Sequence, residues 1–167
     1  MWILALMGAG AVSALVHLFV IGFDGGAGVI CSVILLHQYV VTFGLIGIVG
    51  FYINVIKAEK TAKNLGWPGG PFQWKYGFSQ LGMGAMGVMS IWFRGQFWLG
   101  TLVSMYVYGV SGLWSHSAEL LRKRKVDKDR KSKADKADKV EIANIVLDVL
   151  YQVALTVLLL HVPEVWN

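Results

Sequence analysis

The sequence predicts an all-α protein, a polytopic transmembrane helical bundle with about five spans, and three observations lead to this prediction. The 167 residues are 56% hydrophobic and only 15% charged, with a mean hydropathy of +0.58, which is too apolar for a soluble domain. Apolar runs of roughly twenty residues recur, and this is the length that a helix needs to cross a bilayer. Because lipid cannot hydrogen-bond a peptide group, such runs must be helical.

The first two spans are expected at 2–22 and 27–56. The first lacks the basic start of a signal peptide, so we expect it to be retained as a membrane helix. It ends at the turn that begins with Phe23 and Asp24. The second is longer than a hydrocarbon core of about 30 Å requires, so we expect it to tilt or to protrude.

The remaining spans are expected at 76–93, 96–120 and 142–162, in a single domain covering 1–167. Segment 57–75 is predicted to be a loop, since Pro68, Gly69, Gly70 and Pro71 oppose a regular helix through its middle. Lys, Asp and Ala after 120 are compatible with a solvated extension of the fourth helix. Three tryptophans are expected to anchor helix ends at the membrane interface: Trp92, Trp98 and Trp166.

Charge is concentrated in one segment, 122–139, which holds ten Lys or Arg and four Asp, a net charge of +6. Since the whole chain carries +5, the remainder sums to −1. A basic tract beside a membrane helix is typical of a cytoplasmic segment that contacts anionic lipid head groups. The tract contains no aromatic residue, which argues against nucleic-acid binding. Segment 57–75 is also basic, so we expect both segments and the N-terminus to be cytoplasmic.

Glycines recur inside two predicted spans, where small residues allow helix backbones to approach closely in lipid. We expect them to form the contact between the second and third spans, although Gly82 does not follow the same stripe. The helix-packing residues are Gly44, Gly47, Gly50, Gly77, Gly84 and Gly87.

Histidines are the candidates for haem or metal ligation. His17 and His37 are expected in the outer half of the bilayer, about 7 Å apart in depth at about 1.5 Å per residue. They are possible haem ligands, although buried hydrogen-bonded histidines explain them more simply. Cys31 is the one cysteine, so no internal disulfide forms. No metal site is predicted, and no catalytic triad order, phosphate loop or zinc-ligand spacing occurs, so no enzyme class is indicated.

A second group of polar residues is expected near the cytoplasmic leaflet, at the ends of four spans. Charged groups inside membranes are costly and normally pair with one another or line a hydrated cavity. Such a cluster is explained either by ion pairs that fix helix register or by a functional cavity. Its members are Asn54, Lys57, Lys75, His116, Glu119 and Asp148.

Residues 64–100 and the motif Ser-His-Ser-Ala-Glu at 115–119 carry a family resemblance. The distinctive elements are Gly-Trp-Pro at 66–68, Pro-Phe-Gln at 71–73, Gly-Phe at 77–78 and Arg-Gly-Gln-Phe-Trp at 94–98. Together they resemble a bacterial and archaeal family of small integral membrane proteins of unknown function. The resemblance implies a helical membrane bundle and supplies no reaction. The family usually has an acidic residue where this chain has Lys75, and often a histidine where it has Asn54.

Three functions remain open from the sequence. The leading hypothesis is a non-enzymatic packing or accessory subunit of the cell membrane, associated with copies of itself or with a larger membrane complex. The alternative is a small-solute or proton transporter or channel that uses the inner polar cluster. The second alternative is a haem-binding membrane redox protein that uses His17 and His37.

Overall fold

A computed structural model describes residues 2–65, 69–126 and 131–166 of the chain. The described backbone is helical, with no strand among those residues, which confirms the all-α class. The chain divides into two compact units: the first comprises Met1–Thr101 and Leu158–Asn167, and the second comprises Leu102–Val157.

The first helix, α1, spans Trp2–Ile21 and ends one turn before the second helical run begins. The helix ends at Gly22, which adopts a φ of +86° that residues other than glycine rarely adopt. The N–H groups of Gly22 and Phe23 both donate to the carbonyl oxygen of Leu18, at 3.0 and 3.3 Å. These bonds satisfy carbonyl groups that would otherwise be left unpaired at the helix end.

The second helical run, Gly26–Ile56, is continuous but alternates between α- and π-helical geometry. It consists of α2 (Gly26–His37), a first π-segment (Gln38–Phe43), α3 (Gly44–Phe51) and a second π-segment (Tyr52–Ile56). Wide π-turns are rare and are frequently found at functional sites. Both π-segments here carry buried polar side chains, Gln38 and Thr42 in the first and Asn54 in the second.

Segment 57–75 is not the continuous loop that we predicted. It contains a short helix, α4 (Ala58–Leu65), and the start of α5 (Pro71–Met89). Helix α4 forms because it buries Ala58 and Ala62 while its lysines remain exposed. Pro71 does not break α5, because proline at the first helical position lacks only an N–H that would be unpaired there in any case.

The last long helices extend into the basic segment. Helix α6 spans Gln96–Val126 and α7 spans Lys131–Leu160, so α6 ends later and α7 begins earlier than the predicted spans. Residues 127–130 and the side chains of 122–126 and 131–139 lie outside the described part. The short helix α8, Pro163–Trp166, follows α7. Lysine and alanine are good helix formers although this segment is polar, which explains why apolar content alone misplaces these helix ends.

Two runs in the described part are long and apolar enough to cross a membrane, Leu4–Ile21 and Gly26–Ile56. Ile145–Leu160 is a shorter apolar helix.

In the second unit, α6 and α7 are joined by the hydroxyl of Tyr106, which lies 2.6 Å from Thr156 Oγ1 and donates to the carbonyl of Gln152 at 3.2 Å.

The first unit packs around Trp98, which is wrongly predicted as an interfacial anchor. Its side chain is 1% exposed, whereas that of Trp92 is 69% exposed. The Trp98 indole donates to the carbonyl of Ser90 at 3.0 Å, and the Tyr39 hydroxyl donates to the carbonyl of Trp98 at 3.1 Å. Burial is possible because both polar groups are satisfied inside the unit.

Candidate functional site

Three side chains form a hydrogen-bonded array between α1 and the following helical run. His17 Nδ1 lies 2.9 Å from His37 Nε2, and Ser13 Oγ lies 2.8 Å from His37 Nδ1. Ser13 and His17 are four residues apart, so they share one face of α1. Both ring nitrogens of His37 are therefore engaged, and His37 occupies the centre of the array.

A second pair of polar side chains lies one helical turn away, in the first π-segment. The Thr42 hydroxyl lies 2.8 Å from Gln38 Oε1 and 3.2 Å from the carbonyl oxygen of Leu6 on α1. Gly10 allows this approach, because a Cβ atom there would overlap Thr42 Oγ1 and lie 3.0 Å from Gln38 Nε2. The contact between α1 and the π-segment is therefore polar and buried.

The histidine array bears directly on the haem hypothesis for His17 and His37. Two axial nitrogens of one haem iron lie about 4 Å apart, twice a metal–nitrogen bond of about 2 Å. The facing ring nitrogens are 2.9 Å apart and bond to each other, with ring planes inclined by 66°. Haem ligation would require both rings to rotate out of this arrangement. Haem binding by His17 and His37 therefore stays a prediction.

The predicted inner polar cluster is divided between the two units. In the first unit, Asn54 is 2% exposed and its amide donates to Gln80 Oε1 at 2.9 Å and to the carbonyl of Gly50 at 3.0 Å. Lys57 and Lys75, in contrast, are exposed. The Lys57 ammonium lies 5.8 Å from the centre of the Tyr52 ring. Asn54 thus belongs to the helix contact, and the two lysines belong to the surface.

The other cluster members fall in the second unit. Asp148 is exposed on α7 and lines a shallow depression of about 140 Å³, together with Tyr106 and Gln152. The side chains of His116 and Glu119 lie outside the described part of the chain. A transport pathway through these residues therefore stays a prediction.

The predicted glycines lie where α3 and its flanking π-segments meet α5. A Cβ atom on Gly47 would lie 2.6 Å from Gly84 Cα, and one on Gly84 would lie 2.8 Å from Gly47 Cα. The two backbones therefore touch at this pair. Gly44, Gly50, Gly77 and Gly87 each face an atom of the opposing helix, whereas a Cβ on Gly82 would meet nothing within 4 Å.

Two glutamines have a role at this contact that the sequence reasoning did not assign to them. Gln73 donates to the carbonyl of Ala58 at 3.0 Å, and Gln80 accepts from Asn54. The sequence did contain a signal for them. Small and polar residues on α5 are alternately four and three residues apart, and this spacing places them on one buried face of the helix. That face comprises Gln73, Gly77, Gln80, Gly84 and Gly87.

Comparison with known proteins identifies a family but no activity. A family model described as a family of unknown function (DUF6790) matches residues 1–162. No curated protein and no solved structure matches the chain. The match covers nearly the entire sequence, including the helices that carry the histidine array and the glycine contact. The chain therefore belongs to the DUF6790 family, whose function is unknown.

Proposed function

We propose that the protein is a multi-pass integral protein of the cell membrane that acts as a packing or accessory subunit of a membrane assembly. The observation that carries this proposal is the polarity of α5, which is inverted relative to a helix of a soluble protein. Its buried face consists of glycine and glutamine. Large aromatic side chains are exposed instead: Phe72, Trp74, Tyr76 and Phe78.

This inversion is expected in lipid and unfavourable in water. Burying one large apolar side chain is worth about 1.5–3 kcal/mol in water, so a soluble helix turns such residues inward. In a bilayer the apolar side chains face the acyl chains, and small residues mediate helix contacts. Phe78, inside the predicted span 76–93, is 58% exposed while Gln80 is 6% exposed, which is the arrangement expected in a membrane.

The first helix supports the same conclusion. Only 17% of Leu4–Ile21 is buried, although the segment is apolar apart from Ser13 and His17, whereas the core helix of a soluble protein is mostly buried. Phe19 and Val20 are 74% and 80% exposed. An apolar helix with this much free surface requires either lipid or another protein chain.

The proposed topology has five spans, with the N-terminus and segment 122–139 in the cytoplasm. In this orientation the basic segment lies beside the anionic lipid head groups of the inner leaflet, in accordance with the positive-inside rule.

The accessory role rests on small residues at open surfaces of the helices. A Cβ atom on Gly8 or Gly82 would meet nothing within 4 Å, so these glycines present backbone at an open surface. In lipid such positions allow another helix to approach closely. The proposed partners are further copies of this chain or other helices of a larger membrane complex.

Two measurements test the proposal. The protein should remain in the membrane pellet after an alkaline carbonate wash and be released by detergent; release by carbonate alone would contradict membrane integration. Native mass measurement of the detergent-solubilised protein should then show an oligomer or a stoichiometric co-purifying partner. A monomer without a partner would refute the accessory role while leaving membrane integration intact.

A further inference from the structure

We propose that Ser13, His37 and His17 form a proton-transfer relay within the helical unit. The relay's position inside the bilayer rests on the proposed function, but the chemistry of the three groups does not. The geometry is a continuous chain of two hydrogen bonds, 2.8 Å from Ser13 Oγ to His37 Nδ1 and 2.9 Å from His37 Nε2 to His17 Nδ1. Both distances are typical of well-formed hydrogen bonds.

The distinctive feature of the array is that every member both donates and accepts. A hydroxyl group carries one proton and two lone pairs, and a neutral imidazole carries one donor and one acceptor nitrogen. In a purely structural site, the tautomer of a histidine is normally set by a carboxylate or by a backbone carbonyl, which only accepts. Here His37 lies between a hydroxyl and a second imidazole. Neither partner imposes one tautomer on the ring.

Two opposite hydrogen-bond directions are consequently compatible with the same heavy-atom positions. In one direction Ser13 donates to His37 Nδ1, and His37 Nε2 donates to His17 Nδ1. In the other direction His17 Nδ1 donates to His37 Nε2, and His37 Nδ1 donates to Ser13. The two states differ in which ring nitrogens carry a proton and in the direction of the Ser13 O–H bond. The distances between the donor and acceptor atoms remain 2.8 and 2.9 Å in both.

Changing between the two states moves one proton along the array. A proton that binds at His17 Nε2 displaces the Nδ1 proton to His37 Nε2. The Nδ1 proton of His37 then passes to Ser13 Oγ, and in the same step the original hydroxyl proton of Ser13 passes to a water molecule. Each group ends with the number of protons with which it began, so the array acquires no net charge. This balance matters because an unpaired charge inside a bilayer is costly.

The surroundings leave the exchange possible. Among the side chains that the structure describes, no carboxylate or ammonium group bonds to Ser13, His17 or His37. The other ionisable groups on neighbouring elements are Asp24 in the turn after α1, Cys31 on α2, Tyr39 on the first π-segment and Glu164 on α8. The Tyr39 hydroxyl donates to the carbonyl of Trp98. Glu164 is directed to a different hydroxyl, that of Ser32, at 3.5 Å.

The array is only partly buried. Ser13, His17 and His37 are each half-buried, so the rings are not sealed inside a core. The Thr42 and Gln38 pair lies about one turn from Ser13 along α1, because Gly10 faces both of these side chains. Polar side chains therefore continue along the same helix contact beyond the serine.

The test is ¹⁵N NMR spectroscopy of the histidine-labelled protein in lipid nanodiscs. Substituting His116→Gln and His161→Gln leaves only the signals of the array. We expect the ring nitrogens of His37 and His17 to give averaged shifts, intermediate between protonated and unprotonated nitrogen. His17→Gln retains a hydrogen-bonding side chain but cannot exchange the proton, so His37 should then show two separate, fixed shifts.

The matched control is Ser32→Ala, which removes a hydroxyl that bonds within its own helix to the carbonyl of Gly28. It should leave the averaged shifts unchanged. If His17→Gln fails to fold, Ser13→Ala removes the other end of the array and should likewise abolish averaging at His37. Fixed shifts for both histidines in the parent protein would overturn the relay. Release from membranes by carbonate would instead refute the proposed function, independently of the NMR result.

Discussion

Gly47→Ala introduces a direct conflict between the backbones of α3 and α5. The new Cβ would lie 2.6 Å from Gly84 Cα and 2.8 Å from the carbonyl oxygen of Gln80. Carbon atoms in favourable contact lie about 3.5–4.0 Å apart, so α3 and α5 must separate locally by about 1 Å. Both obstructing atoms belong to the backbone, so rotation of a side chain cannot relieve the overlap.

The expected cost follows from this displacement. Overpacking a close contact costs about 1–3 kcal/mol, against which alanine recovers up to about 1 kcal/mol of helix propensity. We therefore expect Gly47→Ala to lower the free energy of unfolding by about 1–2 kcal/mol. The assay is equilibrium unfolding in mixed micelles with an increasing fraction of denaturing detergent, followed by circular dichroism.

Gly82→Ala is the matched control, because it makes the same chemical change on α5 where a Cβ atom would meet nothing within 4 Å. It should be neutral or stabilising by up to about 1 kcal/mol. The double substitution Gly47→Ala with Gly84→Ala should cost less than the sum of the single changes, since both open the same contact. Equal stabilities for Gly47→Ala and Gly82→Ala would refute the close approach of the two backbones.

Trp98→Phe should destabilise the first unit by about 1–3 kcal/mol, because the buried carbonyl of Ser90 loses its hydrogen-bond donor. Trp92→Phe, at an exposed position, should change the free energy of unfolding little. Equal unfolding free energies for the two variants would contradict the buried bond. Gly95→Ala should cost about 1–2 kcal/mol, since Gly95 has a φ of +60°; an unchanged melting temperature would contradict this conformation. Tyr106→Phe should cost about 1 kcal/mol by losing its bond to Thr156, and a double-mutant cycle with Thr156→Val should show coupling. Additive effects in that cycle would contradict the bond.

Hydropathy predicts the positions of helices well where the chain is apolar and poorly where it is not. It places the first two helical runs within one residue of Ile21 and Gly26, because both are bounded by glycine turns. It misses α4 and the early start of α7 because these segments are polar. The two π-segments have no recognised sequence signal. Wide turns in a helix depend on the packing of their side chains against a neighbour, which a local pattern does not contain.

Sequence reasoning named two of the three residues of the histidine array but not their arrangement. Sequence reasoning selected His17 and His37 together, yet at an expected depth difference of about 7 Å for an untilted pair of helices. In the structure the two rings bond directly, with Ser13 as a third member. Ser13 was not singled out, although its spacing of four residues from His17 was available as a signal.

The amino-acid sequence by itself determined the helical class, the position of the apolar runs and the glycines available for close packing. These properties depend on local composition, because a helix satisfies the hydrogen bonds of its own backbone. The tertiary structure decided which groups meet: Gly47 with Gly84, Trp98 with Tyr39, and His37 with both Ser13 and His17. Those contacts depend on the relative rotation of neighbouring helices, and no single helix specifies that rotation in its own residues.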